Sequence, residues 1–345
     1  MSPELESFFA PPPEFAGDFG HYKSPLIFDD GRRVERAEQW PARRKEILDY
    51  WHGMMDPWPK LLDRPQVQYL QEAPRENFTQ HKVRVEVDSG ERYLDGYILA
   101  PEMPGPLPAM IVVFYKPDQS IGLDPDGVRN FGLQLTRRGF VTLSVGSPSW
   151  SMPFAQETEA PIQPLSYLAY LAANLHTALS QMEQVDPNRI GILGHSYGGK
   201  WAMFASCLYE KFACSAWSDP GIVFDESRPN VNYWEPWYLG KQPGNQRERG
   251  IVTAANPRTG VYKALYEGVH DLHELHALMA PRPFLVSGGA EDPRVRWKAL
   301  NHSIAVNNLL GYSNRVAMTN RPTHSPDAES NEAMYRCTEM FLKAR

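Results

Sequence analysis

The chain has 345 residues, 42% of them hydrophobic and 22% charged, with a formal net charge of -6 at pH 7. That composition provides for a sizeable core and excludes a disordered chain. The negative balance argues against a nucleic acid or an anionic membrane as the main partner, while leaving room for a local basic pocket.

The N-terminal segment 1–16 is acidic and proline-rich, without the basic start and apolar run of a secretory leader. The compartment stays open: the sequence as written fits the cytoplasm, and a leader removed ahead of Met1, which would leave no trace, would make it secreted or periplasmic. No run of about 20 apolar residues is present to span a membrane. Three cysteines, Cys207, Cys214 and Cys337, form neither a disulfide framework nor a zinc pattern.

In chain order, Val34 to Trp58 carries Trp40, Ile47, Leu48, Trp51 and Met54 at helical spacing, which predicts an amphipathic helix. Residues up to Asn77 hold few strand signals and read as a helical extension packed on the main body. Lys82 to Val87 and Arg92 to Ala100 flank Asp88-Ser89-Gly90 and predict a β-hairpin. Ala109 to Tyr115 is a continuous apolar run, as expected of a strand buried on both faces. A helix from Asp126 to Arg138, a strand from Phe140 to Val145 and a helix from Pro164 to Glu183 follow. Then come a strand over Arg189 to Gly194, a helix over Gly198 to Tyr209 and a strand over Cys214 to Ser218. Phe284 to Ser287 and Arg315 to Thr319 are further strands, separated by a helix from Val295 to Leu310. The last helix runs from Ala328 to Lys343. An antiparallel start followed by alternating strands and helices is the doubly wound, mostly parallel α/β class. Between Pro220 and about Gly268 the alternation stops. The stretch is rich in Pro, Gly, Asn and aromatics, and a structureless excursion of this length reads as a lid-like or binding insertion.

The chemistry concentrates at Gly194-His195-Ser196-Tyr197-Gly198-Gly199, a G-x-S-x-G match where an apolar strand meets a helix. A sharp strand-to-helix turn lifts a serine oxygen above the sheet, and flanking glycines let the backbone pass. This pattern is that of the nucleophile elbow of an α/β-hydrolase fold, with Ser196 as nucleophile. The backbone N–H of Tyr197, at the helix start, is the first oxyanion donor. His195 is expected to pack inside the elbow. A serine hydroxyl needs a base, and the loop after the last strand, Asn320-Arg321-Pro322-Thr323-His324, supplies His324. The acid that orients it has two candidates. Asp292 lies in Gly288-Gly289-Ala290-Glu291-Asp292 after a strand, the usual acid loop, with Glu291 as a weaker third choice. Asp219 directly follows the strand after the elbow helix. The loop after Ala109 to Tyr115 should give the second oxyanion donor, a backbone N–H near Lys116. His270, His273 and His276 are spaced i, i+3, i+6, which sweeps round a helix rather than gathering a metal. Neither metal nor cofactor is expected.

The segment from Gly194 to Asp219 resembles the glucuronoyl esterases, a carbohydrate esterase family. Ser196, Gly199, Lys200 and Asp219 fall on the family's serine, glycine, lysine and acid. Two departures stand out: the family's glutamate is Asp219, and its arginine is Tyr197, which removes a side-chain oxyanion contact. Ala280-Pro281-Arg282-Pro283 and Asp292 look like the family's bacterial branch. The resemblance covers about the C-terminal half. It implies an ester of a carbohydrate as substrate, with Lys200 on the uronate side; acetyl xylan esterases share the architecture. Trp234, Trp237 and Tyr238 in the insertion offer flat faces to a sugar ring, or else pack a lid onto the core.

The expected organisation is an N-terminal extension over 1–77 and a catalytic domain over 78–345, with its insertion at about 220–268. The expected activity is serine-dependent hydrolysis of a small-molecule or polysaccharide ester through an acyl-enzyme. Two rivals are a peptidase of the prolyl oligopeptidase type, which the absence of blade-like repeats disfavours, and a catalytically silent binding protein.

Overall fold

The computed structural model describes residues 3–113, 116–124, 127–148, 160–244 and 247–343. Its strands are β1 (Val67–Arg75), β2 (Phe78–Asp88), β3 (Arg92–Pro101), β4 (Leu107–Val113), β5 (Val141–Val145), β6 (Val185–His195), β7 (Cys214–Ser218), β8 (Phe284–Gly288) and β9 (Val316–Asn320). The chain divides into two compact units. A loop-rich unit comprises Met1–Trp58, Trp150–Tyr167 and Asp219–His324. A strand-rich unit comprises Pro59–Ser149, Leu168–Ser218 and Ser325–Arg345.

In the strand-rich unit, β1 to β7 run in the order β1-β2-β3-β5-β4-β6-β7. The first three are antiparallel neighbours, and β3 is antiparallel to β5. The β5-β4-β6-β7 run is parallel. Every residue of β4 and β5 is buried; β4 accordingly is a continuous apolar run, whereas β5 alternates Val and Leu with Thr142 and Ser144, whose hydroxyls are bonded internally to Thr136 and Ser120. The predicted hairpin is present, with Asp88 opposite Arg92. Of the strand predicted over Ala109 to Tyr115, Phe114 and Tyr115 lie outside the described residues, as does Asp126 at the predicted start of the next helix. That helix is seen over Phe131–Arg137.

β1 departs from the sequence reading, which found few strand signals before Asn77. It pairs only with β2, through a bulge at Tyr69/Gln71, and most of its side chains are exposed. A strand held by backbone bonds at a sheet edge needs no apolar alternation, and it tolerates Pro74.

In the loop-rich unit, β8 and β9 form a parallel pair from Phe284↔Val316 to Gly288↔Asn320, connected through the helix Trp297–Leu309. The N-terminal helix forms over Trp40–Met54 and buries Trp40, Ile47 and Trp51 along one stripe. The Trp51 indole N–H donates to Glu274 Oε2 at 3.0 Å, so the ring's polar edge is satisfied where its face is packed. Residues 15–23 lie along the same unit. Their carbonyls accept from Asn301, His302 and His273: Phe15 at 2.7 Å, Phe19 at 3.0 Å and Lys23 at 2.6 Å.

Between Pro220 and Thr259 the described residues contain no helix or strand, and the helix Gly260–Glu267 closes the excursion. The insertion is nevertheless cross-braced. Tyr233 Oη donates to Gly221 O at 2.6 Å, and Arg258 makes a two-pronged contact to Glu226 at 2.6 and 2.7 Å. Arg247 and Glu235 pair at 3.2 Å with side chains 1% and 2% exposed. Among the described residues no helix is long and apolar enough to cross a membrane.

Candidate active site

In the strand-rich unit, β6 ends at His195 and the helix Tyr197–Leu208 begins two residues on, leaving Ser196 alone in the turn. Its backbone sits at φ 56, ψ -117, a conformation that costs a non-glycine residue about 1–3 kcal/mol. Two bonds hold it there: Ser196 N–H donates to Ser218 O at 2.8 Å, and Lys200 N–H donates to Ser196 O at 3.0 Å. Gly194 is obligatory, because a Cβ at that position would lie 2.1 Å from Gly198 O. His195 is buried, with Nδ1 at 3.0 Å from Ser218 Oγ, and packs within the elbow as expected. Tyr197 takes the first helical position, where backbone N–H groups have no acceptor within the helix. Lys200 is buried one turn further along. Lys116 precedes the short helix Pro117–Ser120 in extended conformation.

In the loop-rich unit, the structure brings His324 to Asp219: Nδ1 and Oδ2 are 2.7 Å apart. A carboxylate oxygen accepts, so Nδ1 carries the proton and Nε2 is left as the basic nitrogen. Asp219 is fully buried, in left-handed conformation at φ 50. Its backbone N–H donates to Ser287 O at 3.0 Å. Its Oδ1 accepts from the backbone N–H of Gly289 at 2.6 Å and of Asp292 at 2.8 Å, and Glu291 N–H lies at 3.2 Å. Gly289 permits this convergence, since a Cβ there would stand 2.3 Å from Thr323 O and 2.7 Å from Asp219 Oδ2.

Asp292, the first choice for the acid from sequence, is not the carboxylate on His324 Nδ1. Its oxygens accept from Gly221 N–H at 2.8 Å and Ile222 N–H at 2.6 Å, with Arg296 Nε 3.8 Å away. The two aspartates therefore clasp each other's loops: Asp219 holds the backbone of 289–292, and Asp292 holds the backbone of 221–222. Burial, followed by the neighbouring Asp219 charge, pushes the Asp292 carboxyl above its ordinary range. Glu291 is engaged elsewhere and accepts from Asn230 Nδ2 at 3.1 Å.

The tryptophans expected as sugar platforms pack inside the insertion. Trp234 is fully buried, donates to Gly250 O at 2.8 Å and meets the Tyr262 ring at 5.9 Å. Trp237 is 5% exposed, against Tyr238. A ring with no open face cannot stack on a pyranose, so these side chains serve the insertion's own core. His270 pairs with Glu274 and His273 donates to a carbonyl. Among the described residues no group of three or more His, Cys, Asp or Glu side chains is gathered as for a metal. Sequence reasoning missed Arg321 and the role of Gly289; the Gly288-Gly289 doublet beside the acid loop was the available signal.

Comparison with known proteins agrees with this architecture. Residues 172–318 match the prolyl oligopeptidase family, a span of less than half the chain that ends short of His324. The glucuronoyl esterase of Solibacter usitatus superposes with a TM-score of 0.74 at 16% identity, covering 93% of this chain and 98% of that one. A candidate acetyl xylan esterase from Bacteroides fragilis superposes with a TM-score of 0.60 at 13% identity, over 88% and 80%. The 2,6-dihydropseudooxynicotine hydrolase of Paenarthrobacter nicotinovorans is 26% identical over 192 residues, 52% of this chain; the match spans 47% of that protein's length. The chain has the α/β-hydrolase fold, a mixed sheet with mostly parallel strands and interleaved helices, and it resembles the glucuronoyl esterases.

Proposed function

We propose that the protein is a serine hydrolase that cleaves an ester of a carbohydrate, a glucuronate ester or an acetylated polysaccharide, through an acyl-enzyme. The observation that carries the reading is Ser196, held in a strained turn at a strand–helix junction, the kind of backbone strain that clusters at functional sites. His324 takes the Ser196 hydroxyl proton as the oxygen attacks the ester carbonyl. Asp219 keeps the imidazole in the tautomer this needs and stabilises its charged form. The Tyr197 N–H holds the developing oxyanion, with a second donor near Lys116. The protonated His324 gives its proton to the departing alcohol. Water then attacks the acyl group, with His324 again as base, and frees Ser196. Lys200 is the proposed contact on the uronate side.

The carbohydrate half of the proposal is supported by the near-complete coverage of the glucuronoyl esterase fold. A peptidase reading draws on the prolyl oligopeptidase match. One panel separates them: p-nitrophenyl acetate, longer acyl esters, acetylated xylan, a benzyl glucuronate ester and a prolyl peptide amide, each against Ser196→Ala. A serine-dependent preference for the glucuronate ester or the xylan is expected. Turnover of the amide alone would move the protein to the peptidases, and activity surviving Ser196→Ala would end the serine mechanism.

A further inference from the structure

The loop that carries His324 contains a buried arginine which neither the proposed reaction nor the sequence pattern uses. Arg321 is 4% exposed. Its Nη2 donates to the His324 carbonyl at 2.7 Å. Its Nη1 donates to Ser287 O at 2.9 Å and Ser287 Oγ at 3.0 Å, with Gly288 O at 3.3 Å. Its backbone N–H donates to Gly288 O at 3.0 Å.

Two of these acceptors matter together. The His324 carbonyl belongs to the base. Ser287 O is also the acceptor for the Asp219 backbone N–H. One planar guanidinium thus ties the main chain of the base to the same carbonyl that fixes the main chain of the acid. The guanidinium's N–H groups lie in a fixed plane, so holding two acceptors with it sets the distance between them. An ammonium cannot do this, because its donors radiate from one flexible point.

We propose that Arg321 is a positioning residue that sets the approach of His324 Nδ1 to Asp219 Oδ2. The inference rests on the reading of His324 as the base. Its prediction goes beyond stability: a small displacement of a catalytic group from its working geometry costs rate far more than binding.

The test uses the full chain, with Arg321→Ala, Arg321→Lys and His324→Ala compared with the unaltered protein on p-nitrophenyl acetate. Arg321→Ala should lower kcat by about 10–100-fold with KM changed less than about 3-fold. Millimolar guanidinium should restore part of the rate to Arg321→Ala and none to His324→Ala. Arg321→Lys keeps charge and bulk, and should melt near the unaltered protein yet remain slow. The low-field proton resonance of an imidazole N–H facing a carboxylate, absent in His324→Ala, should shift or broaden in both Arg321 variants. Should Arg321→Ala fail to fold, Arg321→Lys decides alone. A folded Arg321 variant with full kcat and an unmoved resonance, beside an inactive His324→Ala, overturns the positioning role and leaves the hydrolase reading intact. Full activity in His324→Ala overturns both.

Discussion

The elbow around Ser196 and the loops around His324 reach defined geometry by opposite means. At the elbow the constraint is steric and local. Gly194 has no room for a Cβ beside Gly198 O, and one long-range bond, from Ser196 N–H to Ser218 O, completes the turn. At the acid–base loops the constraint is a bond network between distant segments. Asp219 and His324 are 105 positions apart, and Asp219 and Asp292 are 73. What holds them is a set of backbone N–H groups aimed at carboxylates, with Arg321 beneath. Ser196 is thus placed mainly by what the chain cannot do, and His324 by what several loops do jointly. Damage should therefore differ in kind: steric insults at the elbow should cost folding, whereas lost acceptors in the loops should cost rate.

The largest expected effect is that of Ser196→Ala, a loss of about 10⁵–10⁶ in kcat on the preferred ester, with melting changed little because the two bonds that hold the turn run through the main chain. Next is Asp219→Asn, which presents the wrong partner to Nδ1 and should cost about 10⁴ in kcat. Asp292→Asn should cost roughly 10-fold, since it anchors Gly221 and Ile222 rather than the imidazole. A reversed order of the two aspartates, read from kcat at saturating ester, would return the acid to Asp292. The glycines sharpen the contrast. Gly194→Ala forces a Cβ into backbone and should destabilise by at least ~3 kcal/mol, seen as a lower urea midpoint. Gly289→Ala meets both Thr323 O and Asp219 Oδ2, and so should lower the midpoint as well and, in whatever remains folded, cost kcat.

The same distinction explains what was legible in the sequence. A buried parallel strand such as β4 announces itself as an apolar run, and the elbow announces itself through glycines at fixed offsets. β1 was not legible, because an exposed edge strand carries no burial pattern. The choice between Asp219 and Asp292 was open for a physical reason. Both follow a strand, both are buried, and both accept two or more backbone N–H groups; only the placement of His324 Nδ1 separates them. The aromatic insertion was visible as a break in periodicity. That Trp234 points into its own packing depends on Gly250 and Tyr262, which local composition does not encode.

A smaller effect concerns the stability of the loop-rich unit, where burial rather than geometry is at stake. Burial pushes His273 and His276 each down to about 3, and lowers His302. His273 and His302 stand 5.0 Å apart, ring to ring, with Tyr22 against both and Glu274 beside His273 as the countercharge. A histidine with a depressed native pKa binds a proton in the unfolded chain before it does so in the folded one. Its contribution is therefore complete above 6.5 and is lost as pH falls toward 3. Asp271 acts in the opposite sense: burial raises it to about 7, so its penalty grows as pH rises from about 4 to 7. Asp292, raised to about 6, acts in the same sense as Asp271 over a narrower range; the three lowered histidines outnumber the two acids, and net stability should fall as pH drops from 6.5 to 4.5. His273→Gln keeps a donor for Lys23 O without the titration. It should flatten the slope of unfolding free energy by up to about 1.4 kcal/mol per pH unit, as measured by urea denaturation at pH 7, 6 and 5. Asp271→Asn should steepen the slope by a similar amount. Equal slopes in all three proteins would mean that the segment over 15–23 leaves its carbonyl partners before the core unfolds, exposing the histidines to water in both states.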